Sequence, residues 1–314
     1  MNPMQVKSFA KINWILKVLG RRPDSYHEVS TVLQTVDLAD QITIDLIPSG
    51  TIELQTAGYE VAQGETNLAH RAACLLQREF SVRTGARIFL EKRIPVGGGL
   101  GGGSSNAAMV LLGLNRLWDC GADARCLLRL GRQLGSDVPF FLLGGTVWGR
   151  SRGEQLSPLP DPPHEELVLC YPGFPMATAQ AYAEGRWAPL GATSNRLTMT
   201  RAETKIRRFC DYAEDGRRVS VLIENDFDAP LLKRFPQLSA THRALEKAGC
   251  GRVALCGSGS TMVGIPEQGQ VKLVAERLSH TGVGQVFQTS TVARHQYQEA
   301  LQKTGAGLPG VFAC

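Results

Sequence analysis

Pro95-Val96-Gly97-Gly98-Gly99-Leu100-Gly101-Gly102-Gly103-Ser104-Ser105-Asn106 decides how the rest of this chain is read. Six glycines fill seven positions, and glycine loses the most backbone entropy on folding. Such a run persists where the backbone needs unusual dihedrals or must closely approach something. Before it, 87–92 alternates like a half-buried strand. After it, Ser104-Ser105-Asn106 offers caps for an apolar helix beginning at Ala107. Strand, glycine loop and helix N-terminus together make an anion site, because free N–H groups and the positive end of the helix dipole converge there. The expected occupant is a phosphate.

Neither of the two commonest phosphate loops fits. Gly97-x-Gly99-x-x-Gly102 matches the dinucleotide fingerprint formally, but Asp119, the acidic residue at about the right distance, follows a helical rather than a strand pattern. There is no Gly-Lys-Ser/Thr ending of a Walker A loop, and no Val-Ala-Ile-Lys or His-Arg-Asp of a protein kinase. A flexible linker is disfavoured, since linkers seldom separate a strand from an apolar helix.

At 314 residues, with 43% hydrophobic and 20% charged content, the chain has ample length for a core and suits one large or two medium domains. A net charge of +5 suits an anionic substrate without requiring one. Arg207-Arg208 and Arg217-Arg218 read as a solvated face, not a nucleic-acid patch. Eight cysteines without any Cys-x-x-Cys pair imply reduced thiols in a cytoplasmic protein. The first residues carry no n-region and h-region, so no signal peptide is expected, and no apolar run reaches membrane-spanning length.

Taken in order, Gln5–Leu19 is β-rich, with Lys11 and Asn13 on one face of the strand. That face is equally suited to solvent or to a site. A turn over 20–25 leads to Tyr26-His27, a pair able to stack on and hydrogen-bond a planar ring or simply to be structural. Ile42–Ile47 and Ile52–Thr56 read as a hairpin, and Thr66 as the cap of a helix to Phe80. Asp123 caps another helix. Asp137 stands between a glycine stop and Pro139, as an N-cap or as a base kept ionised by a nearby cation, for which Lys11 is a candidate.

The proline-rich stretch 156–165 is the expected domain boundary. Beyond it Thr178 can cap the helix carrying Tyr182, and helices are expected over about 200–212, 225–235 and 236–248. Arg252–Val263 reads as strand, Cys256-Gly257-Ser258-Gly259 turn, strand: a plain hairpin, or a nest of N–H donors for phosphate. From Arg294 a helix and then a frayed tail are expected.

Four pieces stand together: Ser8–Asn13, Gly20–Glu28, Pro95–Asn106 and Cys256–Thr261. On them the chain resembles the galactokinase, homoserine kinase, mevalonate kinase and phosphomevalonate kinase (GHMP) superfamily over about 6–292. The Ala10–Asn13 start and Tyr26-His27 make it similar to the kinases that phosphorylate a cytidyl-diphosphate methylerythritol in the non-mevalonate isoprenoid pathway. This resemblance implies an α+β, two-domain GHMP-kinase-like fold with the active site in the interdomain cleft. The N-terminal domain (1–157) would be ribosomal-protein-S5-domain-2-like, the C-terminal domain (165–292) a ferredoxin-like α/β sandwich, and 293–314 a tail.

By the same resemblance, Pro95, Val96, Gly97, Gly98, Gly99, Leu100, Gly101, Gly102, Gly103, Ser104 and Ser105 would hold the ATP phosphates. Asp137 would be the base and Lys11 its partner, with Asn13 and Thr178 at the substrate. Tyr26 and Tyr182 would sandwich cytosine while His27 reads its edge. Mg²⁺ would arrive with ATP, touched by Ser104 or Ser105, with no carboxylate ligand identifiable. The partners would be ATP and the cytidine-diphosphate substrate, with no nucleic acid and no membrane; monomer and homodimer both stay open. Ser25, Cys256 and Gly264 depart from the usual glycine, serine and bulkier residue. A mevalonate or homoserine kinase, a non-catalytic nucleotide-binding module and a dinucleotide-dependent oxidoreductase are the competing readings. The first lacks a base for Tyr26-His27 to stack on.

Overall fold

The structure, a computed structural model, describes residues 3–308 except positions 186 and 192, and no side chains over 193–198. It is built on two long antiparallel strands, β1 (Met4–Arg21) and β2 (His27–Ile47). β1 is buried on both faces over most of its length, and its apolar side chains run through all three hydrophobic clusters of the molecule. Its pairing with β2 shifts register between Phe9 and Ala10 and again between Asn13 and Ile15. Lys11 and Asn13 lie between these irregularities, which re-aim side chains as bulges do near sites.

Next come β3 (Ile52–Gly58), α1 (Leu68–Glu79), β4 (Gly85–Lys92), α2 (Gly102–Leu117), α3 (Ala124–Leu134), α4 (Val138–Leu143), β5 (Thr146–Ser151) and β6 (Gln155–Pro158). The expected hairpin of 42–47 with 52–56 does not form. β4 inserts between β2 and β3, antiparallel to the first and parallel to the second. The reason is burial. β4 turns Ala86, Ile88 and Leu90 into the core, while β3 is half-exposed and polar, as befits an edge. Helices α1–α4 cover the core face of this sheet.

The second sheet holds β7 (Glu166–Tyr171), β9 (Cys250–Leu255), β10 (Met262–Pro266) and β11 (Gln285–Ser290), in antiparallel order β11-β7-β10-β9. Between β7 and β9 lie α5 (Thr178–Glu184), α6 (Thr193–Glu214), β8 (Glu224–Asn225), α7 (Asp228–Arg234) and α8 (Pro236–Ala248); α9 (Val271–Ser279) joins β10 to β11. This split β-α-β arrangement is ferredoxin-like. β8 instead pairs in parallel with Ile15 and Leu16 of β1, joining the halves. Helix formation after 225 starts only at Asp228, because Glu224 and Asn225 are committed to this pairing.

α10 (Arg294–Lys303) crosses back onto the first core, where Tyr297 is fully buried, packs its ring at a tilt against that of Phe9 and donates its hydroxyl to the Phe141 carbonyl. The residues after 308 lie outside the described part. Gly264 sits where a side chain would run into Cys250 and Leu245, so its neighbours have taken the volume of the usual bulkier residue. Among the described residues no helix is long and apolar enough to cross a membrane.

Candidate active site

Helix α2 starts inside the glycine run, earlier than the Ser104–Asn106 caps anticipated. Gly101 is its N-cap, at φ 72°, and Ser105 N–H makes the first intrahelical bond to the Gly101 carbonyl at 2.9 Å. The N–H groups of Gly102, Gly103 and Ser104 therefore precede the first turn's bonding and face outward. The loop is fixed from three sides by backbone bonds. Lys11 N–H donates to Leu100, Met176 N–H to Gly97 and Thr261 N–H to Gly98, at 3.0, 2.8 and 3.1 Å. A Cβ at Gly99 would overlap the Cys256 carbonyl, so the Cys256–Thr261 segment, the third glycine motif of the chain, packs directly on this loop. Its Cys256-Gly257-Ser258-Gly259 turn joins β9 to β10, and Gly257 N–H is spent on Asn13 rather than offered to an anion.

Ser105 and Asn106, expected as caps, turn inward. Ser8 Oγ donates to Ser105 Oγ at 2.7 Å. Asn106 Nδ2 donates to Ser8 and Asp40 at 2.9 and 2.8 Å. Lys92 pairs with Asp40 in the same buried network and donates to Asn106 at 3.1 Å. Burial lowers the Lys92 pKa, opposed by Asp40. Nothing in the sequence linked Lys92 to Asp40, 52 positions away. The network anchors the strand entering the loop to the helix leaving it, and Lys92 also lines the cavity described next.

A cavity of about 1130 Å³ runs along the glycine loop between the two sheets, larger than a site for one small ligand needs. Lys11 and Asn13 reach its floor, 4% and 2% exposed, which settles their face: they point into the cleft, not to solvent. Lys11 Nζ donates to Asn13 Oδ1 at 2.9 Å, and Asn13 Nδ2 donates to Thr31 at 2.8 Å. Among the described residues Lys11 forms no ion pair, so the expected Lys11–Asp137 bridge is not made. Asp137 is half-buried at the cavity wall, at the N-cap position of α4, yet its side chain makes no capping bond. The capping reading therefore fails. The Ser104 hydroxyl lies in the same cavity near the Gly135–Asp137 turn.

At one end of the cavity His27 stacks on Tyr182, ring centroids 4.4 Å apart and planes 15° apart, and Phe227 meets Tyr182 edge-on at 4.9 Å. Burial pushes the Tyr182 phenol far above its ordinary range, helped by the Asp137 carboxylate; burial and the Arg21 cation lower the His27 imidazole, favouring its neutral form. The ring that lies on Tyr182 is thus that of His27, not Tyr26. Tyr26 is 55% exposed, with the Arg152 guanidinium 4.8 Å from its ring centroid. Ser25, where glycine is usual, holds φ 68° and keeps the turn. Thr178 does not cap α5, whose N-cap is Ala177; its hydroxyl lies 3.3 Å from Ser258 Oγ in the third glycine motif. At the other end Asn67 and Leu68 line the wall; Asn67, not Thr66, caps α1 by accepting from Ala69 N–H at 2.9 Å. No described residues gather three acidic, histidine or cysteine side chains into a metal cluster.

Residues 67–145 match the GHMP kinases N terminal domain and residues 206–284 the GHMP kinases C terminal model. A 4-diphosphocytidyl-2-C-methyl-D-erythritol kinase from Moorella thermoacetica is 40% identical over 284 residues, 90% of this chain and 96% of that protein. The protein of the same name from Gloeobacter violaceus is 40% identical over 266 residues, 84% and 86% of the two chains. A crystal structure of 4-(cytidine 5'-diphospho)-2C-methyl-D-erythritol kinase superposes with a TM-score of 0.75 at 33% identity, covering 92% of this chain and 99% of that one. A homoserine kinase from Cytophaga hutchinsonii, 16% identical with a TM-score of 0.69 over 93% and 96% of the chains, shares the fold.

Proposed function

This chain belongs to the GHMP kinases, in the branch of the 4-diphosphocytidyl-2-C-methyl-D-erythritol kinases, and from that membership we propose how its cleft performs the branch's reaction. The enzyme transfers the γ-phosphate of ATP to the 2-hydroxyl of 4-diphosphocytidyl-2-C-methyl-D-erythritol, in the non-mevalonate route to isoprenoid precursors. The observation that carries the reading is one continuous cavity. It holds outward-facing helix N–H groups, a buried lysine without a carboxylate partner, an uncapped aspartate and a stacked aromatic pair.

Phosphoryl transfer asks mainly for positioning and for stabilisation of charge on the moving group. The amides of Gly102, Gly103 and Ser104 receive the ATP phosphates at the positive end of α2. Lys11, held by Asn13 and not by a carboxylate among the described residues, is placed to meet the phosphoryl oxygens. Asp137 accepts the proton of the attacking tertiary hydroxyl, a role worth about 10² to 10⁴-fold for such bases. Asn13 and Thr178 place the alcohol. The cytosine stacks against Tyr182 and Tyr26, for which the His27 ring turns from Tyr182 to offer its neutral nitrogens to the base edge. The end of the cavity at Asn67, Leu68 and Lys92 is left for the adenosine of ATP.

Mg²⁺ accompanies the ATP phosphates. Ser105 Oγ is engaged by Ser8, so Ser104 is the hydroxyl that fits; with no acidic cluster nearby, phosphate oxygens and water supply the remaining ligands, as is usual for this ion. The domains are taken as 1–157 and 165–292, with the described part of 293–314, through residue 308, returning over the first. The seven free cysteines among the described residues support placing the reaction in the cytoplasm. The test is ADP release from ATP with the cytidyl-diphosphate methylerythritol substrate, mevalonate and homoserine in parallel. Turnover with the first alone is expected; turnover with mevalonate or homoserine instead overturns the assignment.

A further inference from the structure

The segment Asn225-Asp226-Phe227-Asp228, which runs from the end of β8 into the start of α7, has no part in the chemistry above, yet it fastens residues that do. Asn225 is 4% exposed and its amide is fully used. Nδ2 donates to the carbonyls of Leu255 and Gly257, both at 2.8 Å, and Oδ1 accepts Phe227 N–H at 3.0 Å. Gly257 N–H in turn donates to Asn13 Oδ1 at 2.8 Å, the atom that also receives the Lys11 ammonium. Asp228 takes Leu255 N–H at 2.8 Å, so Leu255 is held by both its backbone groups. Asp226 anchors the segment on β1 through Val18 N–H, at 2.9 Å, and Lys17. From the same turn Phe227 buttresses Tyr182.

We propose that Asn225 is a positioning residue: it sets the third glycine turn against Asn13 and so fixes where the Lys11 ammonium sits, while Phe227 sets the Tyr182 ring. Two carbonyls converging on one point repel unless a donor bridges them, and this bridge must also present an acceptor in the same plane. Only a carboxamide of this length does so: aspartate has no donors, leucine no polar atoms, and glutamine is one methylene too long. Without the bridge the Leu255–Gly257 turn relaxes, Gly257 N–H leaves Asn13, and the lysine loses its seat. Displacements near 1 Å at a reacting centre cost on the order of 10²-fold. The inference rests on the reading of the Lys11–Asn13 end as the reacting centre.

The test uses the full chain, with ADP release measured per folded molecule at saturation in both substrates. Asn225→Asp preserves shape but removes both donors. Its kcat is expected to fall about tenfold or more, with KM for ATP and for the cytidyl substrate within about threefold of wild type. Asn225→Ser, retaining one donor, should fall between, and carries the test alone if the aspartate variant does not fold. Phe227→Leu should raise KM for the cytidyl substrate about fivefold with little change in kcat. Asparagine variants that lose only thermal stability, with kcat within about twofold of wild type, overturn the proposal, as does a KM rise above tenfold for both substrates. Asp137→Asn runs alongside to keep two failures apart. If it leaves kcat intact while Asn225→Asp lowers it, the base assignment falls and the positioning role stands; the reverse pattern removes Asn225.

Discussion

Replacing Gly101 by alanine tests how tightly the phosphate loop is built. The residue is the N-cap of α2 at φ 72°, and an added Cβ would lie 2.7 Å from Phe141 Cζ and 3.1 Å from Lys11 Cγ. Phe141 is fully buried and cannot swing away. Ordinary carbon contacts begin near 3.5 Å, so the cap must retreat by roughly 0.5–1 Å or push the Lys11 stem aside. The left-handed conformation alone costs an alanine about 1–2 kcal/mol. Either movement misaligns the helix amides or the ammonium, and kcat/KM for ATP is expected to fall roughly 10- to 100-fold. Steady-state kinetics at saturating cytidyl substrate reads this, with Gly251→Ala as the control, since a Cβ there meets nothing within 4 Å. A Gly101→Ala enzyme within about twofold of wild type would refute the reasoning, because the loop would then have slack that this packing denies.

Two more outcomes follow from groups around the cleft. Burial pushes the Asp228 carboxyl up to about 7, partly offset by its bond from Leu255 N–H. The folded state then holds a proton that the unfolded chain, titrating near 4, has lost. The stability this gives is complete below about pH 4 and is lost as pH rises through 7, a swing on the order of 4 kcal/mol. Asp228→Asn removes that dependence, so the stability of wild type relative to the variant, followed by urea unfolding, should decline from pH 4 to pH 8; a pH-independent difference contradicts it. Tyr182→Ala should raise KM for the cytidyl substrate roughly 5- to 150-fold, from about 1–3 kcal/mol of base stacking, with KM for ATP within about threefold; an unchanged substrate KM contradicts the stacking role.

What could be read from the chain alone follows the range of the interactions. The glycine loop between a strand and a helix was legible because its signal is local: six glycines between an alternating strand and an apolar helix. Spacing placed Lys11 and Asn13 on one face but not which face, since that depends on register shifts against β2 and on a cleft closed by residues near 257. The 42–56 hairpin failed because turn residues at 48–50 report a reversal of the chain, not which strand fills the place beside β2. What distinguishes the two is burial: Ala86, Ile88 and Leu90 of β4 are buried, while β3 stays half-exposed. Capping was misread where a better partner stood one residue away, as with Thr66 beside Asn67. The His27–Tyr182 stack, the Lys92–Asp40 pair and the Asn225 bridge join residues 30 to 155 positions apart, and no local pattern announces them.

The central claim is that this cleft moves a phosphoryl group to a cytidyl-diphosphate alcohol with Asp137 taking the proton. The direct measurement is ADP release with that substrate for wild type and Asp137→Asn. Turnover in the wild type that falls by about 10² or more in the variant is the predicted result. Turnover that barely changes contradicts the assignment of Asp137 as base, and no turnover with the cytidyl substrate contradicts the function itself.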